Sequence, residues 1–368
     1  MDTPIDKKRR FVILTVTEKC NLDCVYCFER AKGGSSMDLS VAKEALEREF
    51  ANADGFDDIE IDLFGGEPTL CKKLLIELVK WVETRKFKKP AVFFLETNGT
   101  QVHGEFQAWL LKNKRHVNVS LSLDGTPETH NANRSDSYSK IDVGFFVKNY
   151  PQQAVRMTVD RRTVGRLCDD VMHLHNLGFL RIDASLACGI EWETGDAVEV
   201  LREQLEKLCR CYLGHPELKE CSLFDMHLPD LLRQGKSLPS RCGAGTSIVS
   251  VATDGRRYPC HTFQPNTTDI PVELGALDFS KISDFRDPEC SGCVLEPACP
   301  TCYGINHRIH GNMLKRDKDY CRVMKIRALA VSFLRGKQIE EGSKDMTPAE
   351  LHQTIKAIRL VQNAFSSV

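Results

Sequence analysis

Ten of the chain's 16 cysteines fall into two groups, and grouped thiols are where chemistry is to be sought. Cys20, Cys24 and Cys27 lie within eight residues as a CxxxCxxC run. Three thiolates do not complete a four-ligand site. On a 4Fe-4S cube they leave one iron open to a small chelating molecule, and electron density beside that iron can reduce its ligand. A zinc site would ask for four ligands at other spacings. The second group is Cys242, Cys260, Cys290, Cys293, Cys299, Cys302 and Cys321. Here Gly, Pro and Cys displace apolar residues, so metal cross-links would have to supply stability. Taken alone, Cys290-x2-Cys293 and Cys299-x2-Cys302 are also zinc-knuckle spacings. The remaining six, Cys71, Cys168, Cys188, Cys209, Cys211 and Cys221, sit in helical or strand-like segments as small buried hydrophobes.

The elements that must carry these groups alternate regularly. Phe11–Val16 is a continuous apolar run, the pattern of a strand buried on both faces, and it ends directly before the first cysteine group. Ser40 to Ala53 follows with an i+4 apolar stripe and Ser40 as its predicted N-cap. The same strand-helix unit recurs until six are counted, the strands starting near Ile59, Val92, Val117, Ala154 and Leu180. Such alternation predicts a parallel sheet wrapped by helices, either an open doubly wound sheet or a curved partial barrel, with chemistry at the C-terminal strand ends. The pattern stops near Leu238, which places a boundary at residues 235–240. Beyond Cys321 the chain turns helical again, and Thr347 is the expected cap of a last helix from Pro348. The organisation is therefore 1–237, 238–325 and 326–368.

Composition excludes some classes. In 368 residues, 50 Lys+Arg against 51 Asp+Glu give a formal charge of -1, so no bulk attraction to nucleic acid or anionic membrane is expected. No apolar run reaches the roughly 18 residues of a membrane span. The polar start, Met1 to Arg10, has no secretory apolar region, which predicts a cytoplasmic protein with reduced thiols.

With Tyr26 before its third cysteine, the CxxxCxxC run resembles the signature of the radical S-adenosylmethionine superfamily. Gly65-Gly66-Glu67-Pro68 resembles that family's GGEP motif, which receives the amino group of the methionyl moiety. Thr97-Asn98-Gly99 and Ser122-Leu123-Asp124-Gly125 follow at the next two strand ends, and Arg134 comes ten residues after Asp124. The resemblance to sulfatase-maturing members implies that Ser122 contacts the cofactor's ribose and Arg134 its carboxylate, the latter suited to a bidentate fork. It also implies a partial (β/α)6 TIM-like barrel, with a further adenosine contact near Leu186–Ile190. The later cysteines resemble the SPASM domain, which carries auxiliary 4Fe-4S clusters. By that likeness Cys290, Cys293, Cys299 and Cys321 complete one cluster, and Cys242, Cys260 and Cys302 hold another. The family interval of three residues before the fourth cysteine of the central run is here two, Pro300 and Thr301.

That second cluster lacks a fourth thiolate. Asp254, His261, Cys221, Cys188 or a cysteine of the substrate could fill the gap. His261 follows Cys260 where formylglycine-forming maturases carry aspartate as the substrate base, and Tyr258–Phe263 looks more like the PCHxF stretch of enzymes that cross-link ribosomal peptides. His261 could act as a base near neutral pH or donate to a cluster sulfur. The implied chemistry is reductive cleavage of S-adenosylmethionine to methionine and a 5'-deoxyadenosyl radical, which takes a hydrogen atom from a precursor peptide. An auxiliary cluster accepts the remaining electron, giving a two-electron oxidation such as a thioether or other cross-link. The sulfatase maturase is the alternative enzyme, and an electron carrier or zinc scaffold the non-enzymatic one. The implied partners are the precursor peptide and an electron donor such as flavodoxin or ferredoxin, and, since the first strand begins too early for an N-terminal leader domain, the leader is expected to bind directly or through a separate leader-binding protein. The basic run Lys7–Arg10 is expected to be a solvated end.

Overall fold

The computed structural model describes residues 8–29, 31–233, 242–268, 270, 278–279, 281, 287–299, 301–342 and 345–365. The boundary expected at 235–240 lies outside the described residues. Two compact units interleave along the chain. The first comprises residues 1–122, 137–153 and 242–281, the second 123–136, 154–241 and 282–368.

The first unit is built on β1 (Arg9–Thr17), β2 (Asp58–Gly65), β3 (Ala91–Thr97) and β4 (Val117–Leu121), all parallel. Helices α1 (Leu39–Ala51), α2 (Lys72–Arg85) and α3 (Glu105–Lys112) connect them. Val12, Leu14 and Val16 of β1 are fully buried and Ile13 nearly so, as a run apolar on both faces requires. β7 (Ile248–Val251) pairs parallel to β1 on its free side, and β8 (Arg257–Tyr258) returns antiparallel. The sheet order is therefore β4-β3-β2-β1-β7-β8. The strand Ile248–Val251 follows the point where the regular alternation ends, and so few residues carry no periodic signal of their own.

The second unit holds a parallel pair, β5 (Val155–Val159) and β6 (Ile182–Leu186). Thus all six expected strands form, four in one ladder and two in another. Helix α6 (Leu167–Asn176) joins this pair, and α7 (Ala197–Gly214) buries Leu201, Leu205, Leu208 and Tyr212. α9 (Lys318–Glu340) packs on α7 and α10 (Pro348–Phe365) on α9. Thr347 caps α10 reciprocally: its Oγ1 accepts from Glu350 N at 3.3 Å while Glu350 Oε2 accepts from Thr347 N at 2.8 Å.

Three local expectations differ. Ser40 lies inside α1, whose cap position is Asp38 in extended conformation, because Met37 N is still tied to Val16 O at 2.8 Å. α4 (Pro127–Asn133) was not anticipated; Thr126 caps it and Pro127 starts it, but seven residues are too short for a periodic stripe. The expected helix Ile141–Tyr150 is α5, Val143–Asn149, started by Asp142. Of the basic run, Lys7 lies outside the described residues and Lys8 is exposed, whereas the last two residues are not the solvated end expected. Arg9 pairs with Asp58 at 2.7 Å, and Arg10, 8% exposed, reaches the fully buried Glu49 at 3.0 Å. Among the described residues no helix is long and apolar enough to cross a membrane.

Candidate active site

In the first unit the loops after β1, β2 and β3 are bonded into one body. Gly66 N donates to Thr17 O at 3.0 Å and Glu67 N to Lys19 O at 2.8 Å. Gly65 has φ of 142°, and a Cβ there would lie 2.1 Å from Thr17 O; one on Gly66 would lie 2.3 Å from Lys19 O. The glycines thus serve close contact with the root of the cysteine loop. Glu67, 1% exposed, spends its carboxylate inside the protein. Oε1 accepts from Thr69 N, Thr69 Oγ1 and Thr97 Oγ1, and Oε2 from Asn98 N at 2.7 Å. Burial raises its pKa, with these donors pulling the other way. Asn98 Nδ2 donates to Asn21 Oδ1 at 2.9 Å, and Asn21 Nδ2 to Thr100 Oγ1 at 2.8 Å. Asn21 directly follows Cys20, so the third strand's end helps hold the cysteine loop. Its type gave no signal in the sequence; only its neighbour did. Ser122, at the end of β4 and buried, donates its N to Thr97 O at 2.9 Å.

Cys20, Cys24 and Cys27 are all half-buried on this loop, with Tyr26 beside them. Burial raises the Cys20 thiol's pKa and Lys32 lowers it. Lys32 itself is disfavoured by burial, but Cys27, Cys20 and Cys24 together hold its pKa above the ordinary value. One ammonium therefore faces all three thiols. Among the described residues no three His, Cys, Asp or Glu side chains converge on a single metal ion. Three thiols grouped on one loop are a donor set of the kind that takes three corners of a cube.

His261 begins a short 3₁₀ turn after Cys260. Its ring lies 4.6 Å from that of Phe64 and 5.5 Å from that of Phe28, centre to centre. Removal from water pushes its pKa down to about 4, so it is neutral at pH 7, and its buried Nδ1 has no partner among the described residues. Cys260 Sγ lies 2.9 Å from Thr262 Oγ1, and Cys242 is exposed.

In the second unit Asp124, fully buried, accepts from Arg134 Nη2 at 3.0 Å and from Thr158 N at 3.0 Å. Arg134 is 8% exposed and is followed by Ser135 and Asp136 with φ of 55° and 50°. Left-handed backbone in two successive non-glycine residues costs about 1–2 kcal/mol each, which marks a turn held by its surroundings. At the β6 end, Trp192 Nε1 donates to Ala187 O at 2.8 Å, fixing the Leu186–Ile190 segment.

The same unit contains a cavity of about 440 Å³ lined by Cys290, Cys293, Cys299, Cys302, Cys321 and Cys188. Cys188, taken from its spacing as filler, belongs to this wall. Arg316 lines it too, with Nε and Nη1 buried and unpartnered among the described residues. A buried, unsatisfied guanidinium facing thiols fits an anionic cluster. Burial pushes the Cys299 thiol up to about 12, with Arg316 acting against it. Of the other scattered cysteines, Cys209 and Cys221 are fully buried and Cys168 Sγ contacts Cys211 Sγ at 3.4 Å, whereas Cys71 is only half-buried at the start of α2 and not the buried hydrophobe expected. Asp254, another candidate ligand, pairs with Arg256 at 2.6 Å.

Residues 14–142 match the family described as the radical SAM superfamily. The particular relatives are more varied. A cysteine-type anaerobic sulfatase-maturating enzyme of Clostridium novyi is 28% identical over 45% of this chain and 47% of its own. An uncharacterised protein of Methanocaldococcus jannaschii, MJ0907, is 29% identical over 32% and 39%. The chain spans less than half the length of these curated relatives. Among solved structures, native anSMEcpe with bound AdoMet and Cp18Cys peptide aligns with a TM-score of 0.71 at 21% identity, covering 91% of this chain and 100% of that one. Streptococcus suis SuiB bound to precursor peptide SuiA aligns at 0.59 and 16%, covering 85% and 76%. Both likenesses are of fold.

Proposed function

We propose that the chain is a radical S-adenosylmethionine enzyme that oxidises a residue of a ribosomally made peptide by two electrons, forming a thioether or other side-chain cross-link. The observation that carries this reading is the bonded assembly of strand-end loops around Cys20, Cys24 and Cys27, together with a second, separate cavity walled by cysteines. Bound S-adenosylmethionine supplies, on reduction, the carbon radical that removes a hydrogen atom. Cys20, Cys24 and Cys27 hold three corners of the first cluster, while Glu67 and Asn98 keep the loop that meets the methionyl group in register with them. Ser122 and Arg134 receive ribose and carboxylate. The cavity cysteines would hold an auxiliary cluster able to take up the electron left on the peptide after hydrogen-atom removal, and a flavodoxin or ferredoxin would supply the separate electron that S-adenosylmethionine cleavage consumes. The peptide substrate is supported by the peptides bound in anSMEcpe and SuiB.

A second reading, formylglycine formation, is favoured by the sulfatase-maturating relatives. It needs a base beside Cys260, where this chain carries His261 and formylglycine-forming maturases carry aspartate. Anaerobic reconstitution tests the whole. About twelve irons per chain and 5'-deoxyadenosine on reduction support it; bound zinc with no 5'-deoxyadenosine overturns it. With candidate peptides, loss of two hydrogens with two residues joined in the fragment spectrum marks a cross-link, and an aldehyde trapped by a hydrazide marks formylglycine from Cys or Ser.

A further inference from the structure

We propose that Cys188 is a thiolate ligand of an iron-sulfur cluster to which Cys302 also contributes. This rests on the reading above, in which the cavity cysteines carry auxiliary clusters.

Two cubes held wholly by protein thiolates require eight cysteines, and the spaced pattern from Cys242 to Cys321 contains seven. Cys188 stands more than fifty residues upstream of that pattern, at the end of β6, so spacing does not reveal it. The fold brings it to the same cavity wall as Cys302. It does so by pressing the loop after β6 onto helix α8 (Tyr303–His310), whose N-cap is Cys302. Gly189, with φ of 70°, lies so close that a Cβ on it would be 2.3 Å from Arg308 Nη2 and 3.2 Å from Ile305 Cγ2. A larger residue there would push Cys188 off α8. Tyr320, which precedes Cys321, lines the same cavity. Of the competing donors, Cys221 is fully buried, Asp254 is paired with Arg256, His261 lies against Phe28 and Phe64, and none of the three lines this cavity. Ligation replaces the thiol proton of Cys188 by iron and releases that proton to solvent.

The test uses the full chain with Cys20, Cys24 and Cys27 changed to alanine, so that only auxiliary iron remains. Iron and sulfide are counted, and the reduced clusters are recorded by electron paramagnetic resonance with Cys188 intact, as Cys188→Ala and as Cys188→Ser. Separately, the unmutated chain is treated with iodoacetamide before and after reconstitution, and labelling at Cys188 and Cys71 is read by peptide mass spectrometry. The expected result is about four irons lost in Cys188→Ala, an altered signal in Cys188→Ser, and labelling of Cys188 at least tenfold lower in the loaded protein while Cys71 labels equally in both states. Unchanged iron and signal in both variants overturn the proposal even if labelling falls, since shielding alone would do that. Equal labelling of Cys188 in both states overturns it even if Cys188→Ala does not fold. Should the parent hold no auxiliary iron at all, the reading of the cavity falls, and this assignment with it.

Discussion

Gly66→Ala is the substitution whose cost can be worked from the structure. Its Cβ would lie 2.3 Å from Lys19 O, 2.6 Å from Lys19 C and 2.9 Å from Glu18 O, while ordinary contact begins at 3.4 Å. All three atoms are backbone, so no side chain can swing away, and about 1.1 Å must be found by moving one loop against the other. That displacement breaks the bonds Gly66 N to Thr17 O and Glu67 N to Lys19 O, now 3.0 and 2.8 Å. Overpacking costs about 1–3 kcal/mol and the two bonds about 0.5–1.5 kcal/mol each, so the variant should lose about 2–6 kcal/mol in denaturant unfolding of the iron-free protein. The displaced part carries Cys20, so iron should fall by about four per chain on reconstitution and 5'-deoxyadenosine formation should cease. Gly34→Ala, in the same loop but with nothing within 4 Å of its Cβ, is the control and should change neither. A Gly66→Ala protein within 1 kcal/mol of the parent that still cleaves S-adenosylmethionine would refute the claim that this contact sets the cysteine loop.

Glu67→Gln places an amide NH2 where Oε2 now accepts from Asn98 N, or against the three donors at Oε1, and either orientation opposes donor to donor. A loss of about 1–3 kcal/mol and weaker S-adenosylmethionine binding by equilibrium dialysis are expected. Glu29, 4% exposed, has its pKa raised by burial from 4.5 to about 7. The folded chain therefore binds this proton more tightly than the unfolded one, so stability falls as pH rises from about 4.5 to about 7. Glu29→Gln should remove that slope and add at most on the order of 3 kcal/mol above pH 7, checked by unfolding the iron-free protein across this range; an unchanged slope sinks the assignment. Arg316→Met removes the cation facing Cys290 and Cys299. Reduction adds negative charge, so an auxiliary cluster's potential should drop by an amount on the order of 1–2 kcal/mol, read by redox titration, while the potential of the cluster at Cys20, Cys24 and Cys27 stays put.

Strong local patterns explain what was legible from residues alone. Phe11–Val16 was readable because a strand buried on both faces needs an unbroken apolar run, and Val12, Leu14 and Val16 are indeed sealed from water. Thr347 was readable because a capping box is a four-residue event. α4 was missed because seven residues do not complete a stripe, and β7 because four residues owe their strand to β1 rather than to their own pattern. Ser40 was misplaced by two positions, since the bond from Met37 to Val16 decides where α1 can begin.

The sequence by itself determined the donor chemistry: thiols at CxxxCxxC spacing and a second cysteine field follow from covalent order, which no folding changes. Tertiary structure alone decided that Glu67 is an internal tie, that His261 is a neutral ring beside Phe28 and Phe64, and that Cys188 shares a cavity with Cys302. These depend on burial and on contacts between residues distant in the chain, which desolvate a group or surround it with donors and so change what its atoms can do.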